Sequence, residues 1–324
     1  MSSDNIIDPG LLRMIRCPSS GLPFKIEGDF LVTVDDTRRY SVVDGIPCLI
    51  PDSAEPTHLG YRHVIEENNK QMAERVGEEE VHDFIQAMIV PTCGNLFRGT
   101  KLADEYPIPN FPTEFEAGQV LDIGCNWGRW SIAGARAGYR MVGIDIHLRS
   151  LICARHLAHK LLPTNIPLFV LGDARYLPFA PDSFEGVFSY SCLQHFSRLN
   201  VEVILSRLHH VLKAQGKSVI QMPNRNGIRS RIAIARRMSS LPNEFDVRYY
   251  SISDVMQLFE GEIGKSRWDV DCFFGLNVHA RDRKLVPPHK RWIVDAADIA
   301  LRISKRVPSV ARCCDSLLVI STKA

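Results

Sequence analysis

The sequence predicts an α/β fold with a mostly parallel seven-stranded sheet, preceded by a small β-rich domain. From Gln119 onward, short apolar runs alternate with helical stretches, which is the pattern of parallel strands joined by helices. Residues 11–51 instead hold short β-type runs separated by turn residues. The chain has 324 residues, of which 45% are hydrophobic, so it is long enough for one large domain and a smaller one.

The length and periodicity of the apolar runs place the individual elements. Strands are predicted at Gln119 to Ile123, Arg140 to Ile144, Leu168 to Leu171, Gly186 to Tyr190, Lys217 to Gln221, Trp268 to Phe274 and Ser316 to Ile320. Helices are predicted at Arg129 to Ala137, Leu148 to Leu162 and Val201 to Leu212, the last ending toward Gln215-Gly216. We divide the chain into residues 1–52, a helical linker or lid at 53–112, and a domain at 113–324 with a helical insertion at about 276–312.

Composition and charge narrow the class of protein. The N-terminus, Met1 to Gly10, lacks the features of a signal peptide, and no apolar run approaches the roughly 18 residues that span a bilayer, so a cytoplasmic location is expected. The nine cysteines follow no regular pattern and are expected to be reduced thiols. The net charge is only +2, but the chain from Asn200 onward holds 21 Lys and Arg against 12 Asp and Glu. This asymmetry indicates either a solvated basic face or contact with something anionic.

The segment Val120 to Trp130, VLDIGCNWGRW, carries the strongest functional signal. Apolar residues lead out of a strand into a turn with Gly124 and Gly128, and a helix follows at once. Glycines let the backbone approach a ligand closely, and amides at a helix start can hold its polar groups. Alone this signal is weak, because Asn126 replaces the second glycine of the usual Gly-x-Gly-x-x-Gly pattern.

Two further acids follow the next two predicted strands. Asp145 ends the second strand, about 20 residues beyond the glycine turn, where an acid accepts hydrogen bonds from ribose hydroxyls. Asp173 ends the third strand. The carboxyl ends of neighbouring strands are where ligands bind to open α/β sheets. An NAD dehydrogenase would share the first two features but not the third, and each acid or glycine alone is equally consistent with helix capping or packing.

Together these motifs closely resemble the class I S-adenosylmethionine-dependent methyltransferases, a Rossmann-like family, over about two thirds of the chain. The resemblance implies S-adenosyl-L-methionine as cofactor and S-adenosyl-L-homocysteine as product. It implies that Asp122 and the glycine turn hold the methionine end, Asp145 the ribose, and Asp173 the adenine amino group. The cofactor-binding residues so predicted are Asp122, Gly124, Cys125, Asn126, Gly128, Asp145, Ile146, Asp173, Ala174, Ser189 and Gln194.

The N-terminal stretch resembles the small zinc-ribbon domain of the Trm112-like family. The matching residues are Arg16-Cys17-Pro18-Ser19-Ser20 and Tyr40-Ser-Val-Val-Asp44-Gly45-Ile46-Pro47. A structural zinc site needs four Cys or His ligands, whereas the corresponding positions here are Cys17, Ser20, Thr33 and Asp36. We therefore expect no metal, and a degenerate domain that is held by packing against the larger one.

The predicted fourth strand leads into Ser189-Tyr190-Ser191-Cys192-Leu193-Gln194-His195-Phe196, which by the resemblance passes beneath the sulfonium and faces the acceptor. His195 is the candidate general base, because the unperturbed pKa of imidazole lies near neutrality. A capping or packing role is the alternative. The chain lacks both the Asn/Asp-Pro-Pro-Tyr signature and the Pro-Cys motif of base methylation, which favours hydroxyl or small amine acceptors.

A basic segment, Met222 to Arg237, follows the predicted fifth strand. Three interpretations stay open for it: it binds a phosphorylated or carboxylated substrate, lies on an anionic membrane surface, or is a solvated face. The candidate substrate-binding residues are Arg225, Arg229, Tyr249, Tyr250 and His279.

Our main functional hypothesis is methylation of a hydroxyl group on a small molecule, sugar or glycolipid. The alternatives are an RNA methyltransferase, since some of these carry an N-terminal zinc ribbon, and a non-catalytic cofactor-binding partner subunit. The missing zinc ligands weigh against RNA, and the intact Asp145 and Asp173 weigh against loss of catalysis.

Overall fold

The N-terminal part forms a small antiparallel sheet. The structure is a computed structural model that describes residues 7–51, 67–68, 78–102, 105–237, 247–274 and 280–324. Its first elements are α1 (Pro9–Met14), β1 (Phe24–Glu27), β2 (Phe30–Thr33), β3 (Arg39–Val43) and β4 (Ile46–Pro47), with the strands in the order β1-β2-β3-β4. The predicted β-rich domain is thus present.

The predicted α/β fold with a mostly parallel sheet of seven strands is confirmed. Helix α2 (Glu78–Cys93) precedes the sheet. The strands are β5 (Gln119–Ile123), β6 (Arg140–Asp145), β7 (Leu168–Leu171), β8 (Phe184–Ser189), β9 (Leu212–Pro223), β10 (Ser266–Cys272) and β11 (Ser316–Thr322), in the order β10-β11-β9-β8-β5-β6-β7. Strands β5 to β9 are parallel, and β11 is antiparallel to both β9 and β10. The carboxyl ends of β5 to β10 therefore lie along one edge.

Helices cover both faces of this sheet. They are α3 (Arg129–Arg136), α4 (Leu148–Leu161), α5 (Arg198–Val211), α6 (Ile228–Arg237), α7 (Ile252–Glu262), α8 (Arg291–Ser304) and α9 (Pro308–Ala311). Serine caps start two of them: Ser197 accepts a hydrogen bond from Asn200 N at 3.2 Å, and Ser251 accepts one from Asp254 N at 3.1 Å. Such caps satisfy amides that have no partner inside the helix.

The chain passes from α5 into β9 earlier than the sequence predicts. Helix α5 ends at Val211 and β9 begins at the next residue, so the predicted stop at Gln215-Gly216 is wrong. Gln215 lies inside β9 with a φ of 61°, near the irregularity in the pairing of β9 with β8. Gly216 fits this irregular part of the strand because it has no side chain: an added Cβ would lie 2.8 Å from the Lys213 carbonyl oxygen.

The N-terminal sheet packs against the β7 edge of the large sheet. Leu49 N donates a hydrogen bond to Leu171 O at 2.7 Å. Leu11 and Leu31 are buried in the same apolar cluster as Val170. Full burial of a side chain of this size contributes roughly 1.5–3 kcal/mol, so this contact stabilises a unit too small for a core of its own.

None of the described helices has the length and apolar character that crossing a membrane requires.

Candidate functional site

A cavity of about 710 Å³ opens at the carboxyl ends of β5, β6, β7 and β8. This is the edge at which the sequence places the ligand, and the volume suits a small molecule, since such sites measure roughly 300–1,000 Å³. The lining residues on the sheet side include Gly124, Cys125, Asn126, Asp145, Ile146, Ala174, Tyr190 and His195.

The backbone conformation of the turn after β5 explains why glycine and asparagine occupy it. Gly124 has a φ of +72°, and a Cβ there would lie 2.5 Å from the Cys192 sulfur. Asn126 also has a positive φ, 47°, which asparagine tolerates better than most residues. Asparagine therefore replaces the expected second glycine without loss of the turn conformation.

The amides of this turn already have protein acceptors. Gly124 N donates to Ile144 O at 2.9 Å, and Asn126 N donates to Asp145 Oδ2 at 2.9 Å. Trp127 N donates to the Asn126 side chain at 2.9 Å. These three amides therefore fix the shape of the turn, and the expectation that amides at the helix start hold a ligand stays a prediction.

Of the three acids predicted from the sequence, Asp145 is the one that lines the cavity. Besides the bond from Asn126 N, its Oδ1 accepts one from His147 N at 3.0 Å, and it is only half-buried by protein. Burial raises the pKa of Asp145, and the hydrogen bond from Asn126 N opposes that shift. The carboxylate is thus held in a fixed orientation with lone pairs left for a ligand.

Asp122 does not line the cavity. It is 1% exposed and accepts a hydrogen bond from Ser131 Oγ at 2.6 Å, beneath the glycine turn. Burial raises the pKa of Asp122 to about 7. From this position Asp122 supports α3 against β5, and its role at the methionine end of the cofactor stays a prediction.

Asp173 likewise lies outside the cavity lining. The side chain of Arg175 pairs with this carboxylate, Nη2 to Oδ2 at 2.7 Å and Nε to Oδ1 at 3.1 Å, and both residues are buried. A carboxylate bound in this way is directed at Arg175, and its contact with an adenine amino group stays a prediction.

Three other predicted cofactor residues have structural contacts outside the cavity lining. A Cβ on Gly128 would lie 2.9 Å from the Ala154 Cβ, so this glycine permits the close packing of α3 and α4. Ser189 Oγ donates to Ile123 O at 2.9 Å. Gln194 Nε2 donates to Ser191 Oγ at 2.8 Å.

His195 lines the cavity, at the end of a single 3-10 turn that follows β8. The side chain of Arg248 donates to the His195 carbonyl oxygen at 2.7 Å, and Arg248 N donates to Gln194 O at 2.9 Å. Ser191 N donates to the Gln221 side chain at 2.8 Å. These bonds fix the loop that presents the imidazole.

Helix α2 covers the cavity with Phe84, Met88 and Thr92. It is tied to the glycine turn, since Trp127 Nε1 donates to Thr92 Oγ1 at 2.9 Å and Arg129 Nη1 donates to Thr92 O at 3.1 Å. The residues predicted as a linker or lid thus supply part of the cavity wall.

Several aromatic lining residues were not singled out from the sequence. Trp130 and Tyr190 lie with ring centroids 4.8 Å apart, and the Phe84 ring stacks on His147 at 5.9 Å. The available signals were the two tryptophans beside the glycine turn and the histidine two residues after Asp145. Because Phe84 is distant in sequence, no local pattern could have assigned it.

Four of the five predicted substrate residues lie away from the cavity lining. Arg225, Arg229, Tyr249 and Tyr250 do not line the cavity. Tyr250 is 8% exposed and packs in the apolar core, whereas Arg229 lines a second, separate groove. His279 lies outside the described residues.

Comparison with known proteins agrees with this geometry. Residues 120–216 match the model of a family described as a methyltransferase domain, a stretch that includes the glycine turn, Asp145 and His195.

Curated relatives match over part of the chain. Phosphoethanolamine N-methyltransferase 2 of Caenorhabditis elegans is 33% identical over 115 residues, which are 34% of this chain and 25% of that protein. O-methyltransferase cnsE of Penicillium expansum is 29% identical over 124 residues, which are 38% of this chain and 43% of that protein. The matches thus span less than half the length of these relatives.

Among solved structures, a phosphoethanolamine N-methyltransferase 2 of Haemonchus contortus in complex with S-adenosyl-L-methionine is 16% identical, with a TM-score of 0.46. The similarity covers 86% of this chain and 61% of that chain.

Proposed function

We propose that the protein is an S-adenosylmethionine-dependent methyltransferase whose cofactor occupies the 710 Å³ cavity. The observation that carries this proposal is the position of Asp145, whose oriented carboxylate ends β6 at the cavity wall beside the glycine turn. In this arrangement the remaining lone pairs of Asp145 accept hydrogen bonds from the ribose hydroxyls. Ile146 and Ala174, which also line the wall, provide apolar contacts for the adenine.

The rest of the lining fits such a ligand. It combines aromatic and apolar side chains with a few polar groups, which is typical of cofactor sites. Arg129 lines the cavity beside the turn, so its positive charge is placed to attract the carboxylate of the methionine part. The turn amides are not needed for this role, because the charged side chain provides the electrostatic attraction.

We further propose that the acceptor is a hydroxyl group of a small molecule, sugar or glycolipid. The cofactor supplies an activated methyl group for in-line displacement, so the protein has to orient the acceptor and remove its proton. His195, on the loop held by Arg248, would accept the proton that the hydroxyl releases when its oxygen bonds the methyl carbon and the C–S bond of the sulfonium breaks. Tyr190 and Phe196 line the same part of the cavity and restrict the position of the acceptor.

An amine acceptor is the competing possibility, because the relatives include N- and O-methyltransferases by name. An assay of S-adenosylhomocysteine formation distinguishes a hydroxyl acceptor from an amine acceptor. It uses two matched compounds, one with a hydroxyl and the other with an amine at the same position. Turnover with only the amine partner would refute the hydroxyl proposal.

Calorimetric titration with S-adenosylhomocysteine tests the cofactor site. Asp145→Ala is expected to bind at least ~10-fold more weakly than the wild type, because two hydrogen bonds to a charged group are lost. Asp269→Ala, which removes an exposed carboxylate on β10, is the matched control and should bind as the wild type does. Equal affinities for Asp145→Ala and the wild type would contradict the ribose assignment.

We also propose that the N-terminal domain is a degenerate zinc ribbon of the Trm112-like type. The four family positions are engaged in the protein's own contacts or lie at the surface: Cys17 Sγ lies 3.5 Å from the Tyr40 hydroxyl, Thr33 is buried, and Asp36 pairs with Lys25 at 2.6 Å. Ser20 is exposed. Treatment with a strong zinc chelator should therefore leave the melting temperature unchanged.

A further inference from the structure

Helix α8 carries apolar side chains on two opposite faces. Its inner face packs Ala297 and Leu301 against the core. On the outer face Trp292, Ile299 and Ile303 are 67%, 58% and 45% exposed. Spacings of seven and four residues place these three on one side of a helix. We call them the α8 stripe.

Helix α6 carries a second pair of exposed apolar side chains. Ile228 and Ile232, one helical turn apart, are 46% and 49% exposed. A groove of about 480 Å³ joins the two helices, with Arg229 of α6 and Trp292 of α8 both in its lining. Exposed apolar side chains that cluster on two helices bordering one groove indicate an interaction site, whereas singly scattered ones do not.

The exposed charges on and next to these two helices are mainly positive. Both acids of α8 are paired, Asp295 with Arg283 at 2.9 Å and Asp298 with Arg302 at 2.7 Å. Exposed basic residues also lie on these helices or next to them along the chain; they are Arg225, Arg231 and Arg236 before or on α6, and Lys305, Arg306 and Arg312 after α8. The partner that complements such a surface is anionic and offers an apolar layer beneath its charges.

The surface is also close to the edge of the sheet that carries the cavity. Helix α6 follows the carboxyl end of β9, and α8 comes after the carboxyl end of β10. Tyr190 of the cavity wall donates a hydrogen bond to Asp271 of β10 at 2.7 Å.

We propose that the α8 stripe and its basic surroundings bind the surface of a membrane that contains anionic lipid. Trp292, Ile299 and Ile303 enter the headgroup boundary, where tryptophan and aliphatic side chains of amphipathic helices are stabilised, and the cations contact the lipid phosphates. A second copy of this chain fits less well, because pairing the same surfaces would bring the same cations together. This proposal does not depend on the proposed methyl transfer.

Sedimentation with lipid vesicles tests it on the full chain without added cofactor. The protein should bind vesicles of phosphatidylglycerol mixed with phosphatidylcholine at least ~10-fold more tightly than vesicles of phosphatidylcholine alone, and added salt should weaken the binding. Two variants should each bind the anionic vesicles at least ~10-fold more weakly than the wild type. The triple variant Trp292→Ser, Ile299→Ser, Ile303→Ser removes the apolar side chains that enter the headgroup boundary. The double variant Lys305→Glu, Arg306→Glu removes two basic residues, each of which contributes about fivefold in affinity near an anionic surface.

Matched controls exclude general surface effects. Leu199→Ser removes an apolar side chain that is 74% exposed outside the stripe, and Arg140→Glu reverses an exposed charge at the opposite edge of the sheet. Both should bind as the wild type does, with melting curves showing that every variant is folded. Equal binding to both vesicle types, or no binding, would overturn the proposal. So would a dimer in sedimentation velocity that the stripe variant abolishes, because the stripe would then be an interface between copies.

Discussion

The hydroxyl of Tyr190 donates a hydrogen bond to the carboxylate of Asp271 at 2.7 Å. This contact joins Tyr190, the residue after β8 at the cavity wall, to β10, which is an edge strand of the sheet. Burial and the neighbouring carboxylate raise the pKa of Tyr190 well above its usual range, so the phenol stays protonated and remains a donor.

Tyr190→Phe is expected to lower the free energy of unfolding by about 1–3 kcal/mol, because Asp271 loses a buried hydrogen-bond donor. Tyr250→Phe is the matched control: the Tyr250 hydroxyl is buried and makes no hydrogen bond among the described residues, so its removal should be neutral or stabilising. Urea unfolding measures both variants. Equal effects would show that the bond to Asp271 contributes nothing specific.

Asp173→Asn is expected to destabilise the protein by about 3–5 kcal/mol, because it breaks a buried pair and leaves Arg175 without its charged partner. Its effect on S-adenosylhomocysteine affinity should be smaller than that of Asp145→Ala. Urea unfolding and calorimetry on the two variants measure these quantities. A loss of affinity as large as that of Asp145→Ala, at unchanged stability, would restore the direct adenine contact.

Asp122 should make the stability of the fold depend on pH. Its pKa is raised from an ordinary value of 3.8 to about 7, so between these values the folded chain retains a proton that the unfolded chain has released. This contribution to stability is complete below about pH 4 and is lost as the pH rises toward 7. Urea unfolding measures the free energy of unfolding of the wild type and of Asp122→Asn. The value for the wild type minus that for the variant should decrease from pH 4 to pH 7. A flat difference would show that the buried carboxyl titrates normally.

His195→Ala is expected to lower turnover roughly 10²–10⁴-fold, the usual contribution of a general base, with little change in S-adenosylhomocysteine affinity. His210→Ala, at an exposed site on α5, is the control and should retain full activity. Turnover and calorimetry on the same preparations separate the two quantities. An unaltered rate in His195→Ala would remove the residue from the chemical step.

The sequence predicted the sheet because its apolar runs are unambiguous. Strands β5 and β7 begin and end where the pattern places them. The start of β9 was missed because a glycine near a helix end indicates a stop, whereas Gln215-Gly216 lies in an irregular strand. Sequence alone does not distinguish these two uses of glycine.

Topology and side-chain contacts differ in how far the sequence determines them. Asp145 lines the cavity at the edge where the strands of the parallel sheet end. Asp173 lies at the same edge, but a basic side chain two residues later binds its carboxylate, and such local competition is not visible in a pattern. The cover provided by α2 depends on contacts such as Thr92 with Trp127, 35 residues apart.

The attachment of α2 to the glycine turn limits how the chain can be divided. Arg129 is 3% exposed, and its guanidinium group donates to the Thr92 carbonyl oxygen. A fragment that starts at residue 113 would keep every strand of the large sheet yet remove this acceptor and the cavity's covering wall. Shortened versions of the protein therefore have to retain residues 78–93 to preserve the ligand chamber.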